Sequence, residues 1–306
     1  MRISSVDSNT IQLQIAAREF VPKRRGRPII WLTGVSHIGD TNYYAALQRH
    51  LDAQTLVLYE GVSAAEAKEQ TDSSNSGGSG EAPATAETRG SFQSAMAASL
   101  GLVFQLEAIQ YHRDNFKNSD LSIDQLRTLM ANTEANSGES GARESFESLL
   151  QTMDGSSWLD ALLQLALRIM GANPKFQALG RLALIDLLGT IQGDPSRLEG
   201  LPPDMKQLLD VLLQRRNEKV VADIKAELSE MDRADSIAVF FGTGHMPDLE
   251  QRLRRDLGYV PANQTWFTAF SVDLGKAGVS QAEKDLVENF VKWQLKQAGA
   301  GAAQAN

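Results

Sequence analysis

The stretch WLTGVSHIGD at residues 31–40 and the stretch FFGTGHMPDL at residues 240–249 share one pattern near opposite ends of a 306-residue chain. Each ends an apolar run typical of a β-strand, continues as Gly-x-x-His and leads into a helix-forming segment. The chain has only four histidines, and two of them, His37 and His245, occupy the same position in this pattern. Because open α/β sheets bind ligands at the carboxyl ends of their strands, the repeat predicts two halves of one site.

The order of apolar and polar segments in the remaining sequence predicts an α/β fold. We expect a mixed central sheet built from two halves, each carrying a strand–Gly-x-x-His–helix unit, with a helical insert between them. Residues 11–22 and 28–33 favour an antiparallel pair, and residues 28–59 favour a βαβ unit whose helix covers 42–51 and whose second strand covers 55–59. The other expected elements are a strand at 102–106, a polar break at 132–141, helices over 146–188 and from 202 to about 231, a strand at 266–272 and a final helix at 281–297.

The chain is expected to form one α/β domain over residues 1–272, followed by a C-terminal helix and a frayed tail over 273–306. Residues 71–90 consist almost entirely of Ser, Gly, Asn, Thr, Ala and acidic residues. Such a stretch buries too little apolar surface to offset its ordering entropy, which predicts a flexible insertion. A helical insert is expected over about 143–200, where it would cover the sheet or cap the site.

Composition narrows the class of protein. A net charge of -8 argues against nucleic-acid and membrane partners, since either requires a basic face, and the basic cluster at residues 23–27 is expected in a solvated turn. Cysteine is absent, so thiol catalysis is excluded and any metal must take nitrogen and oxygen ligands. Neither a signal-peptide core nor an apolar run of roughly 18 residues occurs, so a cytoplasmic location is expected.

Three side chains are candidates for a metal site. Glu60 follows the strand at residues 55–59, which is expected beside the strand of Trp31, so its carboxylate should reach the same edge as His37 and His245. Two imidazoles and one carboxylate form a recurrent divalent-metal set with open positions for water or substrate. Alternatively, Glu60 would act as the general base for a metal-bound water. The other interpretation of all three is that they are ordinary polar residues at strand ends.

Substrate contacts are expected from glycines and from the long helix after residue 202. Gly34 and Gly244, or Gly242, would let a ligand approach the backbone closely. Arg216 falls in the middle of an apolar face of the helix, and Asn217 lies at its edge. A guanidinium there needs a carboxylate partner or an anionic ligand; the alternative is an arginine whose head reaches water. The apolar face is formed by Leu209, Leu213, Val220 and Ile224.

The other two histidines are weaker candidates. His50 comes late in a helix, where a cation complements the helix dipole, and His112 lies in a polar turn. The chain contains no P-loop, no dinucleotide-binding glycine motif, no G-x-S-x-G and no H-E-x-x-H. The paired motifs are therefore the main indication of chemistry.

At these residues the chain resembles the TraB/Tiki family, including its bacterial GumN-like members. The Gly-x-x-His motifs match at residues 34–37 and 242–245, the family's glutamate matches at Glu60, and its Arg-Asn pair matches at Arg216 and Asn217. Residues 111–126 resemble the family's strand–polar loop–helix region, in which this chain has Phe116, Asn118, Asp120 and Leu121.

The resemblance implies an α/β fold whose two halves join around one cleft. Animal Tiki members are manganese- or cobalt-dependent metalloproteases, and bacterial relatives include a peptide-pheromone shutdown protein. Distant members hydrolyse macrolide esters or bind haem. Many GumN-like proteins carry a secretion signal or a lipoprotein cysteine, and neither is expected from this sequence.

These residues together predict a divalent-metal-dependent hydrolase that acts on a peptide or another small substrate. His37 and His245 would hold the metal, with manganese or cobalt favoured by the resemblance and zinc or iron also compatible. Arg216 would stabilise an oxyanion or bind a substrate carboxylate. The alternative is a non-catalytic protein that sequesters a peptide or small ligand in the same cleft. The hydrolase requires a close His–His–Glu cluster, whereas the binding protein tolerates histidines about 8 Å apart; the oligomeric state stays open.

Overall fold

The computed structural model describes residues 1–24, 26–61, 94–137, 143–144, 146–147, 173–190, 207–230 and 235–303. The flexible insertion expected at 71–90 and most of the helical insert expected at 143–200 lie outside the described residues, as does the start of the long helix at 202. Within the described ranges, no helix is both long enough and apolar enough to cross a membrane.

The strands are β1 (Arg2–Ser5), β2 (Thr10–Pro22), β3 (Ile29–Val35), β4 (Ile38–Gly39), β5 (Leu56–Tyr59), β6 (Val103–Phe104), β7 (Phe116–Asn118), β8 (Ser236–Gly242) and β9 (Tyr259–Asp273). The helices are α1 (Thr41–Asp52), α2 (Gln105–Ala108), α3 (Ile123–Ser137), α4 (Pro174–Thr190), α5 (Arg216–Glu227), α6 (Met246–Asp256) and α7 (Gln281–Ala303). A π-helical turn (Asp210–Arg215) leads into α5, and a 3-10 turn (Thr243–His245) joins β8 to α6.

The strands form a mixed sheet, as predicted. In the described residues its order is β1-β2-β3-β8-β5-β7, with β9 paired to β2. Strands β3, β8, β5 and β7 are parallel, and the pairings of β2 with β1, β3 and β9 are antiparallel. The predicted pair around the basic turn is β2 and β3. The four parallel strands direct their carboxyl ends to one edge of the sheet.

The neighbour of β5 differs from the prediction. The strand before Glu60 was expected beside that of Trp31, but β8 lies between them, because Leu32 and Leu58 both pair with Val239. Residues 237–241 are all fully buried, and such a continuous apolar run is typical of a strand covered on both faces. The second motif therefore emerges between the first motif and Glu60.

Helices cover both faces of the sheet. On one face, Ala238 and Phe240 of β8 belong to the same core as the buried side of α1 and α4. On the other face, Val239 and Phe241 pack in a core with α5 and α6. This alternation along β8 is the period-2 pattern of a strand, and it anchors the strand that leads to His245 from both sides.

Four predicted element boundaries are wrong. The strand predicted at 266–272 begins at Tyr259. The strand predicted at 102–106 contains only Val103–Phe104, and α2 begins at Gln105. The predicted polar break at 132–141 is helical as far as Ser137. Helix α7 continues to Ala303 instead of ending near 297, because alanine, the best helix former, offsets the glycines of this segment.

The predicted apolar face of the long helix changes register before α5. Leu208 and Val211 are buried, whereas Leu209 and Leu213 are only half-buried. The π-helical turn Asp210–Arg215 has more residues per turn than an α-helix, so side chains before it are rotated away from the positions that α-helical spacing predicts. Single π-turns of this kind are frequent at functional sites.

Candidate functional site

The two Gly-x-x-His segments meet at the carboxyl edge of the parallel strands. Val35 at the end of β3 pairs with Gly242 at the end of β8. His37 follows β3 and is exposed, whereas His245 ends the 3-10 turn and is 3% exposed. Glu60 follows β5, and its side chain is 15% exposed. His37, Glu60 and His245 therefore lie at the same edge of the sheet. His37 is the most exposed of the three and His245 the most buried.

These three side chains converge on Gly242. A Cβ atom at this glycine would lie 3.2 Å from Glu60 Oε2, 3.6 Å from His37 Nε2 and 3.9 Å from His245 Cδ2. The Gly242 N–H donates to Glu60 Oε2 at 2.6 Å. The missing side chain thus leaves the space in which both imidazoles approach the carboxylate.

The two glycines expected beside a ligand take other positions. Gly34 is buried in β3, where a Cβ would meet the side chains of Ile15 and Thr243, each at 3.2 Å. Its lack of a side chain therefore permits close packing within the protein, and the expectation that it contacts substrate is not supported. Gly244 is half-buried within the 3-10 turn. Gly242, the first residue of the second motif, is the glycine that adjoins the site.

Arg216, the first residue of α5, is buried against two carboxylates. Its Nε and Nη2 donate to the two oxygens of Asp120 at 2.8 and 2.6 Å, and Nη2 also donates to Glu60 Oε1 at 2.7 Å. Its Nη1 donates to the Leu212 carbonyl at 3.2 Å and lies 3.5 Å from His245 Nε2. The predicted carboxylate partner is thus present, and the alternative of an arginine reaching water is wrong because the side chain is only 8% exposed.

This arrangement changes what Arg216 can do. A guanidinium has five N–H donors; four of these donate to Asp120, Glu60 and the Leu212 carbonyl, and the fifth points to His245 Nε2 at 3.5 Å, the limit of a hydrogen bond. At most this one donor is left for an oxyanion or a substrate carboxylate. The geometry therefore assigns Arg216 mainly to binding Glu60 and Asp120, and not to the substrate contact expected from the sequence. Asp120, whose side chain is fully buried, is the second partner and also accepts the Gly61 N–H at 3.0 Å.

The charges of the site follow from this packing. Burial alone would raise the pKa of Glu60, but Arg216, the two histidines and the Gly242 N–H hold the pKa of its carboxyl well below the usual range. Burial lowers the pKa of His245 to about 4, although the charge of Glu60 acts in the opposite direction. At neutral pH, Glu60 is therefore ionised and His245 is a neutral imidazole.

Asn217 fixes the tautomer of His245. Its Nδ2 donates to Asp248 Oδ2 at 2.9 Å, and the same carboxylate oxygen accepts from Arg252 Nε at 2.6 Å. With its amide nitrogen facing a carboxylate, Asn217 must present Oδ1 to His245 Nδ1, at 2.8 Å. The ring proton is therefore on Nδ1, and the unprotonated Nε2 lies 3.7 Å from Glu60 Oε1 and 3.5 Å from Arg216 Nη1. Asn217, expected to bind substrate, is buried and orients His245 instead.

The donor chemistry fits a divalent metal, although the described residues do not form a closed metal site. Among them, no three His, Cys, Asp or Glu side chains are grouped closely enough to hold one ion. The oxygens of Glu60 bind Arg216 and the Gly242 N–H, yet each keeps a free lone pair. His245 presents an unprotonated Nε2 with its Nδ1 fixed by an amide, as metal-ligating histidines commonly do. Gln105 Oε1 lies 2.9 Å from His37 Nδ1 in the same manner.

The other two histidines have structural positions. His50 Nε2 shares a hydrogen bond with Thr33 Oγ1 at 3.1 Å, and its ring packs edge-on against Trp31. Burial lowers the pKa of His50, so it is neutral at pH 7 and does not supply the helix-end cation that its position predicts. His112 is exposed after β6 and α2, in the turn where it was expected.

No protein-family model, curated protein or solved structure matches this chain. The resemblance to the TraB/Tiki family therefore depends on the motif residues alone. It stays a prediction.

Proposed function

We propose that the protein is a divalent-metal-dependent hydrolase of the TraB/Tiki type, with a peptide or similar small substrate. One observation carries the proposal: His245 is a buried, neutral imidazole whose Nδ1 proton is fixed by Asn217 and whose unprotonated Nε2 adjoins an ionised Glu60. Protein sites use this arrangement to prepare a histidine for a metal. His37 Nε2 reaches the same space at Gly242, so two nitrogen donors and one carboxylate are available together.

In this proposal His37 and His245 hold the metal through Nε2. When bound, a divalent ion supplies Lewis-acid chemistry, since it lowers the pKa of water and polarises a carbonyl. The sequence left open whether Glu60 is a ligand or a general base, and its low pKa favours the ligand, because a base works best when its pKa is near the operating pH. Arg216 keeps that carboxylate ionised and in place.

The second candidate function is metal-free binding of a peptide or small ligand in the same cleft. It is favoured by one observation, namely that no closed group of metal ligands occurs in the part of the chain that the structure describes. In that function, exposed His37 would contact the ligand while the network of Arg216, Glu60 and Asp120 would serve only to stabilise the fold.

The two functions are separated by metal content and by metal-dependent thermal shift. We expect the wild-type protein to bind one equivalent of manganese, cobalt or zinc and to gain about 2.7 kcal/mol of stability at a free metal concentration of 100 times Kd. The His37→Ala/His245→Ala variant should lose both, whereas His112→Ala, which removes only an exposed histidine, should lose neither. Wild-type protein that neither contains nor responds to any of these metals would reject the hydrolase and leave the ligand-binding function. Metal binding would lead to a peptide-hydrolysis screen with that metal.

A further inference from the structure

A small two-stranded sheet brings Gln105 against His37. Strands β4 and β6 pair antiparallel, with Ile38 opposite Phe104. The Gln105 N–H, the first after this pairing, donates to the His37 carbonyl at 2.8 Å. Gln105 is only 3% exposed, although glutamine is mostly found at protein surfaces. A buried polar side chain of this kind needs partners, and the identity of those partners indicates its role.

The side chain of Gln105 bridges His37 and Tyr111. Its Nε2 donates to Tyr111 Oη at 2.8 Å, and its Oε1 lies 2.9 Å from His37 Nδ1. Tyr111 is held by rings on two sides, Tyr59 at 5.0 Å and Phe240 at 6.4 Å between centroids, so the phenol is a fixed anchor. In this orientation of the amide, Oε1 accepts a hydrogen bond from the Nδ1–H of His37, and His37 Nε2 carries no proton.

His37 needs such a partner more than His245 does. His245 is enclosed by protein and packs edge-on against Phe241, whereas His37 is exposed. An exposed imidazole is not confined by packing, and it samples several rotamers and both neutral tautomers. Two hydrogen bonds from one buried residue, one to the backbone and one to the ring, remove that freedom.

We propose that Gln105 is a positioning residue that holds His37 in the Nδ1–H tautomer with Nε2 directed to the space beside Gly242. It does for His37 what Asn217 does for His245. Its purpose, preparing a metal ligand, rests on the proposed function; the tautomer itself is a property of the metal-free protein. Loss of such an outer partner typically lowers metal affinity about 10- to 100-fold.

The test compares two substitutions of Gln105 in metal-free protein. Gln105→Glu keeps an acceptor for the Nδ1 proton, and its second oxygen can accept from the Tyr111 hydroxyl. Gln105→Leu removes the acceptor with little change of size. The ring nitrogens of His37 are followed by 15N NMR and assigned with His37→Ala. We expect the Nδ1–H tautomer in wild type and Gln105→Glu, and a shift towards the tautomer mixture of free histidine in Gln105→Leu. Gln110→Leu, an exposed glutamine nearby, should change nothing.

An Nε2–H tautomer in the wild type, or an unchanged tautomer in folded Gln105→Leu, would overturn the proposal. The affinity for manganese, cobalt and zinc, measured by titration, then separates the positioning role of Gln105 from the proposed function. Weaker metal binding by about 10- to 100-fold in Gln105→Leu, with affinity near the wild type in Gln105→Glu, supports both. Equal affinity in all three proteins overturns the positioning role and leaves the hydrolase intact. A locked tautomer in a wild type that binds no metal supports the positioning of His37 and rejects the hydrolase.

Discussion

Replacing Arg216 with methionine tests whether the guanidinium serves to neutralise buried carboxylates. Methionine retains an unbranched apolar side chain but leaves Asp120 and Glu60, whose side chains are 0% and 15% exposed, without their cation. Removing one partner of a buried ion pair typically costs about 3–5 kcal/mol. Because two carboxylates share this guanidinium, we expect a loss near the upper end, about 5 kcal/mol of the free energy of unfolding at pH 7.

The loss should become smaller as the pH falls from 7 to 5. In the wild type, the pKa of His245 is about 4 when folded and near 6.5 when unfolded, so the unfolded chain binds more protons and stability decreases with falling pH. In the variant, burial without Arg216 raises the pKa of Glu60 above its unfolded value of 4.5. The folded variant then binds a proton that its unfolded chain does not, which offsets the loss due to His245 over the same range of pH, so the two proteins approach each other.

The assay is urea unfolding followed by far-UV circular dichroism at pH 7 and pH 5. Arg215→Met is the matched control, because this adjacent arginine is 46% exposed and pairs with Glu218 at 3.2 Å on the surface. Exposed pairs contribute about 1 kcal/mol or less, so the control should remain close to the wild type at both pH values. A loss below about 1 kcal/mol for Arg216→Met at pH 7, or a loss that grows towards pH 5, would refute the assignment of Arg216 as the counterion of Glu60 and Asp120.

Two further predictions concern the buried histidine and the glycine beside it. The free energy of unfolding of the wild type should fall by about 3 kcal/mol between pH 6.5 and pH 4, because His245 is protonated in the unfolded chain over this range but not in the folded protein. His245→Gln should remove this dependence on pH. If the dependence is the same in the variant, the imidazole is not buried in its neutral form. Gly242→Ala should weaken metal binding at least about tenfold, because its Cβ would lie 3.2 Å from Glu60 Oε2 and 3.6 Å from His37 Nε2. Gly34→Ala, which crowds only apolar and threonine side chains, is the control, and equal metal affinity in the two variants would contradict the crowding argument.

The position of the site could be predicted from local sequence. An apolar run that ends in Gly-x-x-His places an imidazole just beyond a strand, and the carboxyl ends of parallel strands share an edge. This is why His37, His245 and Glu60 could be assigned to one edge without knowing the strand order. The burial of Arg216 was equally predictable, since a single charge within an apolar helical face is visible in the sequence.

The contacts within the site could not be predicted, because they depend on residues that only the fold brings together. Gln105 lies in a segment that was predicted as a strand, and nothing in its neighbourhood marks it as the partner of His37. Asp248 follows the second motif, but its role as anchor of Asn217 requires α5 and α6 to be packed side by side. The one available signal was Asp120, a carboxylate just after a strand, in the segment that resembles the family's polar loop.

The charge of the assembled site decides which kind of ligand it favours. Glu60 and Asp120 contribute two negative charges, Arg216 contributes one positive charge, and neutral His245 contributes none, so this group of described residues has a surplus of one negative charge. A surplus charge of low exposure is unfavourable unless a counterion approaches it, and the open direction is towards exposed His37. This group of residues therefore favours a cation over an anionic ligand. The same guanidinium that the sequence suggested for binding a substrate carboxylate is already neutralised by Glu60 and Asp120, so the charge of this group agrees with the proposed metal and not with the expected substrate contact.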